Sequence, residues 1–191
     1  MAKATDIVDS LNDAAGHGDP VSVGAINDEL GHRGTGALIA VPAAVELTPI
    51  GGIPGVPTAI AVMVGVFAVQ IIMGRQDMWL PNFLEKRTIH ADKLRAAAGK
   101  LRPATEWMDR HFGRRLSWFS SKPGIKLAAV AILLLCFTIP PLELVPFASS
   151  IPTGTMLLFG VGMLVRDGLV MLLGWIAFAA AAVGIWFIIP F

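Results

Sequence analysis

The sequence predicts an all-α integral membrane protein: two repeated halves with broken or re-entrant helices, a C-terminal transmembrane helix, and amphipathic helices on the cytoplasmic side. Three observations predict it. First, of 191 residues 54% are hydrophobic and 15% charged, and the mean hydropathy is +0.67; soluble domains run about a quarter charged. Second, residues 169–191 form the longest uninterrupted apolar run, long enough to cross a bilayer with some tilt. Third, the stretch Glu46-Leu-Thr-Pro-Ile-Gly-Gly-Ile-Pro-Gly-Val-Pro-Thr58 interrupts apolar sequence with a carboxylate, prolines and glycines. A shortened copy, Glu143-Leu-Val-Pro-Phe-Ala-Ser-Ser-Ile-Pro-Thr153, follows later.

Residues 1–34 read as a polar, acidic, mobile tail followed by a short amphipathic helix. Ser22 serves as its N-cap, Val23, Ile26 and Leu30 share one face, and Gly34 stands past its end. The early residues hold no secretory signal. Residues 35–75 form the first membrane repeat. At about 1.5 Å per residue, segment 35–47 covers roughly 20 Å of a core about 30 Å thick. It therefore crosses only if the irregular stretch completes the path, and Pro42 is placed to kink it. Pro49, Gly51, Gly52 and Pro54 make the break, and Pro57 suits the first turn of a new helix.

Residues 76–124 form a basic section. Of the 15 Lys and Arg in the chain, 12 lie between Arg75 and Lys126, which marks the section as cytoplasmic. Arg75 and Trp79 are the residue types of a membrane interface. Two helices are expected, over 89–101 and 103–119. The second carries Trp107, Met108, Phe112, Leu116 and Phe119 at helical spacing beside Arg110, Arg114 and Arg115, a pattern suited to anionic headgroups or to packing on the rest of the protein.

Residues 125–168 form the second repeat, expected to break at Pro140-Pro141. Pro146 belongs to its irregular part, and Pro152 restarts a helix that runs to Val165. Arg166-Asp167-Gly168 then interrupts the chain before the last span. Glu46, Leu47 and Pro49 align with Glu143, Leu144 and Pro146. After a two-residue gap is closed, Pro57, Thr58, Gly65 and Val66 align with Pro152, Thr153, Gly160 and Val161.

Paired Gly/Pro-interrupted apolar segments point to a transporter-like site. The backbone groups freed at a break are tolerated only inside protein or beside a wet cavity, so the two breaks are expected to share one place. A carboxylate at bilayer depth finds a partner or a proton. Glu46, Glu143, Thr58 and Thr153 are therefore the candidate substrate or proton site, with Arg166 and Asp167 added as the other charged point. The alternative is that the carboxylates cap the half-helices near the headgroups.

No Gly-rich phosphate loop, paired metal-ligand spacing or nucleophile elbow occurs. No cofactor, metal, catalytic residue or nucleic-acid partner is expected. Cys136 reads as a small core hydrophobe. The small number of spans suggests a homodimer.

Gln70, Gly74-Arg75 and Trp79-Leu80-Pro81, followed by Pro152, Gly160, Arg166-Asp167-Gly168 and Gly174, resemble the pattern of the ExoD family from about residue 31 onward. The resemblance implies a multi-pass protein of the bacterial inner (cytoplasmic) membrane, connected with exopolysaccharide synthesis. Two activities stay open under it. One is binding or moving an anionic or lipid-linked solute, or coupling protons. The other is a non-transporting accessory or scaffold role toward membrane lipids and polysaccharide-assembly proteins.

Overall fold

The computed structural model describes residues 5–16, 18–22, 24, 34–75, 79, 88–92, 95–96, 98–100, 102–103, 106, 119, 121–143, 145 and 148–188. Among these the elements are α1 (Thr5–Gly16), β1 (Val21–Ser22), α2 (Gly34–Glu46), a 3-10 turn (Pro49–Gly52), α3 (Val56–Ile72), β2 (Thr88–Ile89), α4 (Lys122–Leu142), α5 (Ser150–Val165) and α6 (Gly168–Ile188). Among the described residues the chain is all-α apart from one two-stranded ribbon.

α2 to α6 form the main body. α2 packs chiefly on α5 and α3 on α4, with α6 laid against α5. The α2–α5 crossing is a backbone contact: a Cβ on Gly36 would sit 2.5 Å from the Leu164 backbone nitrogen, and one on Gly160 would sit 2.7 Å from that of Ala40. Small residues of this kind let helices approach closely without lipid or water between them. Phe67, Ile132, Ile139, Met156 and Phe159 fill the core around these crossings.

The contacts also order the helices end to end. At one end the close of α2 and the start of α5 meet through Glu46 and Thr153, while the close of α4 and the start of α3 meet through Glu143 and Thr58. At the other end Gly36 lies against Leu164, and Gly74 against Lys126. α2–α3 and α4–α5 are therefore two hairpins whose tips share one end of the bundle.

Three elements depart from the sequence-based expectation. The mobile tail is instead α1, whose Val8 and Ala15 are buried. Val21 and Ser22 form a strand that was not expected, β1, with Val21 opposite Ile89 and Ser22 opposite Thr88; the helix expected from Ser22 onward lies outside the described residues apart from Gly24. Asp19 Oδ1 accepts from the Ala91 backbone N–H, and Arg95 donates to the Ala15 carbonyl. The tail is thus tied to the segment after β2 by hydrogen bonds as well as by a small apolar cluster. Third, α4 does not break at Pro140-Pro141 but runs through Leu142. Two missing N–H groups in a last turn free carbonyls close to a helix end that leaves them open anyway, and Glu143 N–H still reaches the Ile139 carbonyl.

α4 is the one helix among the described residues that is long and apolar enough to cross a membrane; α2, α3, α5 and the stretch 168–184 are shorter apolar helices. The most secure span was expected at 169–191, but of that segment only residues up to 184 have described surroundings. The helix expected over 103–119, with Arg110, Arg114 and Arg115, lies largely outside the described residues, as does Pro146.

Candidate functional site: two crossed carboxylates

The first break is built by local sterics. Pro49 opens the 3-10 turn at a position where its fixed φ fits and its missing N–H costs nothing. Gly51 then folds back onto the end of α2, where a Cβ would lie 1.8 Å from the Glu46 carbonyl oxygen. No other residue fits there. Gly52 and Pro54 continue the turn, and Gly55 adopts φ +90° as the residue preceding α3, a region that disfavours any side chain. Its exposed N–H is thereby turned toward Glu143. Pro57 takes the second position of α3, and Pro152 lies in the first turn of α5.

Two carboxylates meet across this end of the bundle. Glu143, one residue past α4, accepts hydrogen bonds from the Gly55 backbone N–H and the Thr58 hydroxyl. These two donors, the Thr58 hydroxyl foremost, hold its pKa below the usual carboxylate range. Glu46, the last residue of α2, accepts from the Thr153 hydroxyl at 2.7 Å. Thr153 is fully buried and Glu46 is only 6% exposed. The second oxygen of Glu46, Oε2, is buried with no hydrogen-bond partner among the described residues. Ser149, the residue preceding α5, is a neighbour of this carboxylate, and Glu143 is near enough for the two charges to interact.

The arrangement is crosswise. Each glutamate ends the first helix of one hairpin and bonds the threonine that starts the second helix of the other. The expected meeting of Glu46, Glu143, Thr58 and Thr153 is what the geometry contains. One carboxylate is wet and doubly held. The other is dry, bonded by Thr153 with Ser149 beside it, and has one oxygen without a partner among the described residues.

Arg166 and Asp167 do not join this site. Arg166 closes α5 in the left-handed conformation, φ 51° and ψ 39°. Asp167 then caps α6: its Oδ1 accepts from the N–H groups of Leu169 at 2.7 Å and Val170 at 3.2 Å. This is an ordinary N-cap, at the end of the bundle away from the tips. Arg75 and Trp79 sit at that end too. Gln70, quoted above only as part of a pattern, clasps the Trp79 backbone: it accepts from the Trp79 N–H at 2.7 Å and donates to the Trp79 carbonyl at 3.1 Å. Gly74, at φ +72°, ends α3 with Arg75 N–H returning to the Gln70 carbonyl at 3.2 Å, a Schellman closure.

Gly55 and Ser149 were not among the candidate residues. A glycine two places before the helix-starting Pro57 is the signal that marks Gly55. Ser149 has none, since serine before a helix is common. Among the described residues no cluster of His, Cys, Asp and Glu is set to hold a metal ion.

Fold and site together define a class: a helical bundle of two hairpins whose tips are joined by crossed glutamate–threonine hydrogen bonds. The chain belongs to the ExoD family, whose model, described as "Exopolysaccharide synthesis, ExoD", matches residues 4–187. It is 27% identical over 172 residues to "Protein ExoD" of Rhizobium meliloti, covering 87% of this chain and 69% of that one. It is also 24% identical over 139 residues to "Uncharacterized protein slr1875" of Synechocystis, covering 70% of this chain and 60% of that one. No solved structure matches.

Proposed function

We propose that the chain is a small multi-pass membrane protein of exopolysaccharide or envelope biogenesis, and that the crossed carboxylates form a proton-coupled site for moving an anionic or lipid-linked solute. The observation that carries this is the buried Oε2 of Glu46, which has no hydrogen-bond partner among the described residues. Such an orphan is expensive in a protein interior and is resolved when the oxygen takes up a proton or meets a ligand that donates to it. Glu143, held by Gly55 and Thr58 at the same end, supplies a second acceptor on the solvent side. A proton passing between them would make or release the bond to Thr153 and so loosen or lock α2 against α5.

The membrane reading is supported by the exposed faces. Val62, Leu134 and Phe137 are 64%, 55% and 73% exposed, and large apolar side chains in that number on the outside of helices are at ease in lipid. The crossed pairing is also what a duplicated hairpin would produce, since Glu46 and Thr58 occupy the positions in the first half that Glu143 and Thr153 occupy in the second.

Proton flux is measured with the purified chain in proteoliposomes carrying a trapped pH dye. The double variant Glu46→Gln/Glu143→Gln is expected to lower the flux by about tenfold or more, the scale of losing a positioned proton carrier. Full flux in that variant overturns the carboxylate role. The clustering of cations in 76–124 favours a second reading, an accessory protein that holds polysaccharide-assembly proteins through this section. It predicts no flux, and a partner complex that depends on Arg110, Arg114 and Arg115.

A further inference from the structure

A groove of about 620 Å³ runs along the outside of α3 against α4, from Thr58 near the tips to Arg75 and Trp79 at the opposite end. Its walls between the ends are apolar. Val62, Val66 and Val69 line it from α3, and Leu133 and Phe137 from α4. The polar groups that touch it are spent elsewhere: the Thr58 hydroxyl is bonded to Glu143, and the Gln70 amide holds the Trp79 backbone. Between its ends, the described lining leaves no strong hydrogen-bonding group free for a polar solute.

Its far end has the opposite character. Arg75 is exposed, and the exposed Lys126 brings its ammonium within 3.3 Å of where a Cβ on Gly74 would lie. Lys122 is exposed one turn earlier on α4. Among the described residues no carboxylate pairs with Arg75 or Lys126, and residues 70–75 and 121–127 contain no Asp or Glu. Trp79 is 56% exposed beside them, an aromatic of the kind that settles at the headgroup level. A long apolar slot ending at Arg75 and Trp79, with the Lys126 ammonium beside the neighbouring Gly74, matches a molecule with a hydrocarbon chain and an anionic head.

We infer that this groove binds a phosphate-bearing membrane lipid, its chain along Val62, Val66 and Phe137 and its phosphate between Arg75 and Lys126. The guanidinium offers a fork of donors to phosphate oxygens and the ammonium a compact charge beside it. The inference rests on the membrane reading above and adds a ligand class and a place that the carboxylates do not specify. The two sites meet at Thr58, so an occupied groove presses on the helix whose first turn Glu143 holds.

The test uses the full chain in nanodiscs containing a trace of phosphatidylglycerol with a photoactivatable group in its acyl chain. Adducts are expected on the α3 and α4 peptides that face the groove. Arg75→Gln/Lys126→Gln is expected to reduce them about tenfold, from the loss of two cations near an anionic head, while Arg75→Lys/Lys126→Arg keeps most of the labelling. A matching phosphatidylcholine probe should label the groove weakly in both. On the unmodified chain, unlabelled phosphatidylglycerol should compete better than phosphatidylcholine. Equal competition by the two lipids, labelling spread over all apolar faces, or a second copy of the chain cross-linked in the groove each overturns the inference. Alkaline carbonate extraction separates the two failures. Release of the chain from membranes defeats the membrane reading itself, whereas an embedded chain with no headgroup preference defeats only the lipid site.

Discussion

Thr58 and Thr153 make the same bond in different surroundings, and their side chains let the two carboxylates be weighed separately. Replacing Thr153 by Val keeps the shape but strips the buried Glu46 of its 2.7 Å hydroxyl hydrogen bond. A buried acceptor stripped of its donor costs about 1–3 kcal/mol, so Thr153→Val should lower the unfolding midpoint of the purified chain clearly. Thr58→Val should lower it less, because Glu143 keeps the Gly55 N–H and has water at hand. The same pair predicts a pH dependence. The folded pKa of Glu143 lies below its ordinary value of 4.5, so folding favours its ionised form. The stabilisation is therefore complete above pH 4.5 and disappears as the pH falls below that value through the depressed one. Unfolding midpoints recorded from pH 6 downward should converge for the unmodified chain and Thr58→Val at the acid end; a gap that persists there removes Glu143 from the account. At this scale the glutamates and threonines were legible as candidates because charge and hydroxyl stand out in apolar sequence. Their pairing was not. The partners are 107 and 85 residues apart, and repeat alignment places Glu46 in register with Glu143, not against Thr153.

At the scale of elements the glycines separate packing from flexibility. Gly160 sits where a Cβ would meet the Ala40 backbone nitrogen at 2.7 Å and its Cα at 2.9 Å. Backbone cannot rotate away as a side chain can, so Gly160→Ala must push α2 and α5 apart, costing about 1–3 kcal/mol. Gly65, its counterpart on α3, faces Leu133 Cδ1 at 3.7 Å and Cys136 Sγ at 3.8 Å, which is ordinary contact. There Ala should be neutral, or stabilising by up to about 1 kcal/mol through helix propensity. Thermal unfolding of the two variants in one detergent decides the matter: equal destabilisation would mean that the crossing is no tighter than the rest of the bundle. The helices themselves were largely readable from apolar runs bounded by Gly and Pro. The errors have local causes. Pro140-Pro141 reads as a stop, yet a proline pair in a closing turn removes bonds that a helix end surrenders in any case. α1 was missed because Asp6, Asp9 and Asp13 make the segment look solvated, while Val8 and Ala15 supply a narrow inner face that only a partner reveals. Part of that partner comes from the far side of the first hairpin: Ala91 clusters with Ala15, Leu11 and Val21.

The ribbon of β1 and β2 carries the argument about the whole molecule. If α2 and α3 enter a membrane, the pairing of Val21 with Ile89 requires the chain before α2 and the chain after α3 to be on one side of it. The first hairpin then goes in and returns, and the second, with its tip at the same end, does likewise; the hairpins run parallel, not inverted. α6 packs antiparallel on α5, where Gly162 meets Met171 and Gly174 meets Phe159, and so carries the C-terminal end toward the tips. On the proposed membrane reading, the basic section and the tail would share the cytoplasmic face, and the carboxylates would lie toward the opposite one. Single cysteines read this out on a Cys136→Ser background. Asn12→Cys and Lys100→Cys should both react with a membrane-impermeant maleimide in inside-out vesicles and neither in right-side-out ones. Ile53→Cys, 55% exposed in the parent chain at the first tip, should show the reverse preference or be shielded from both sides if the tip stops within the bilayer. Asn12 and Lys100 reporting from opposite faces would break the ribbon, and with it the parallel arrangement that brings Glu46 and Glu143 to one end.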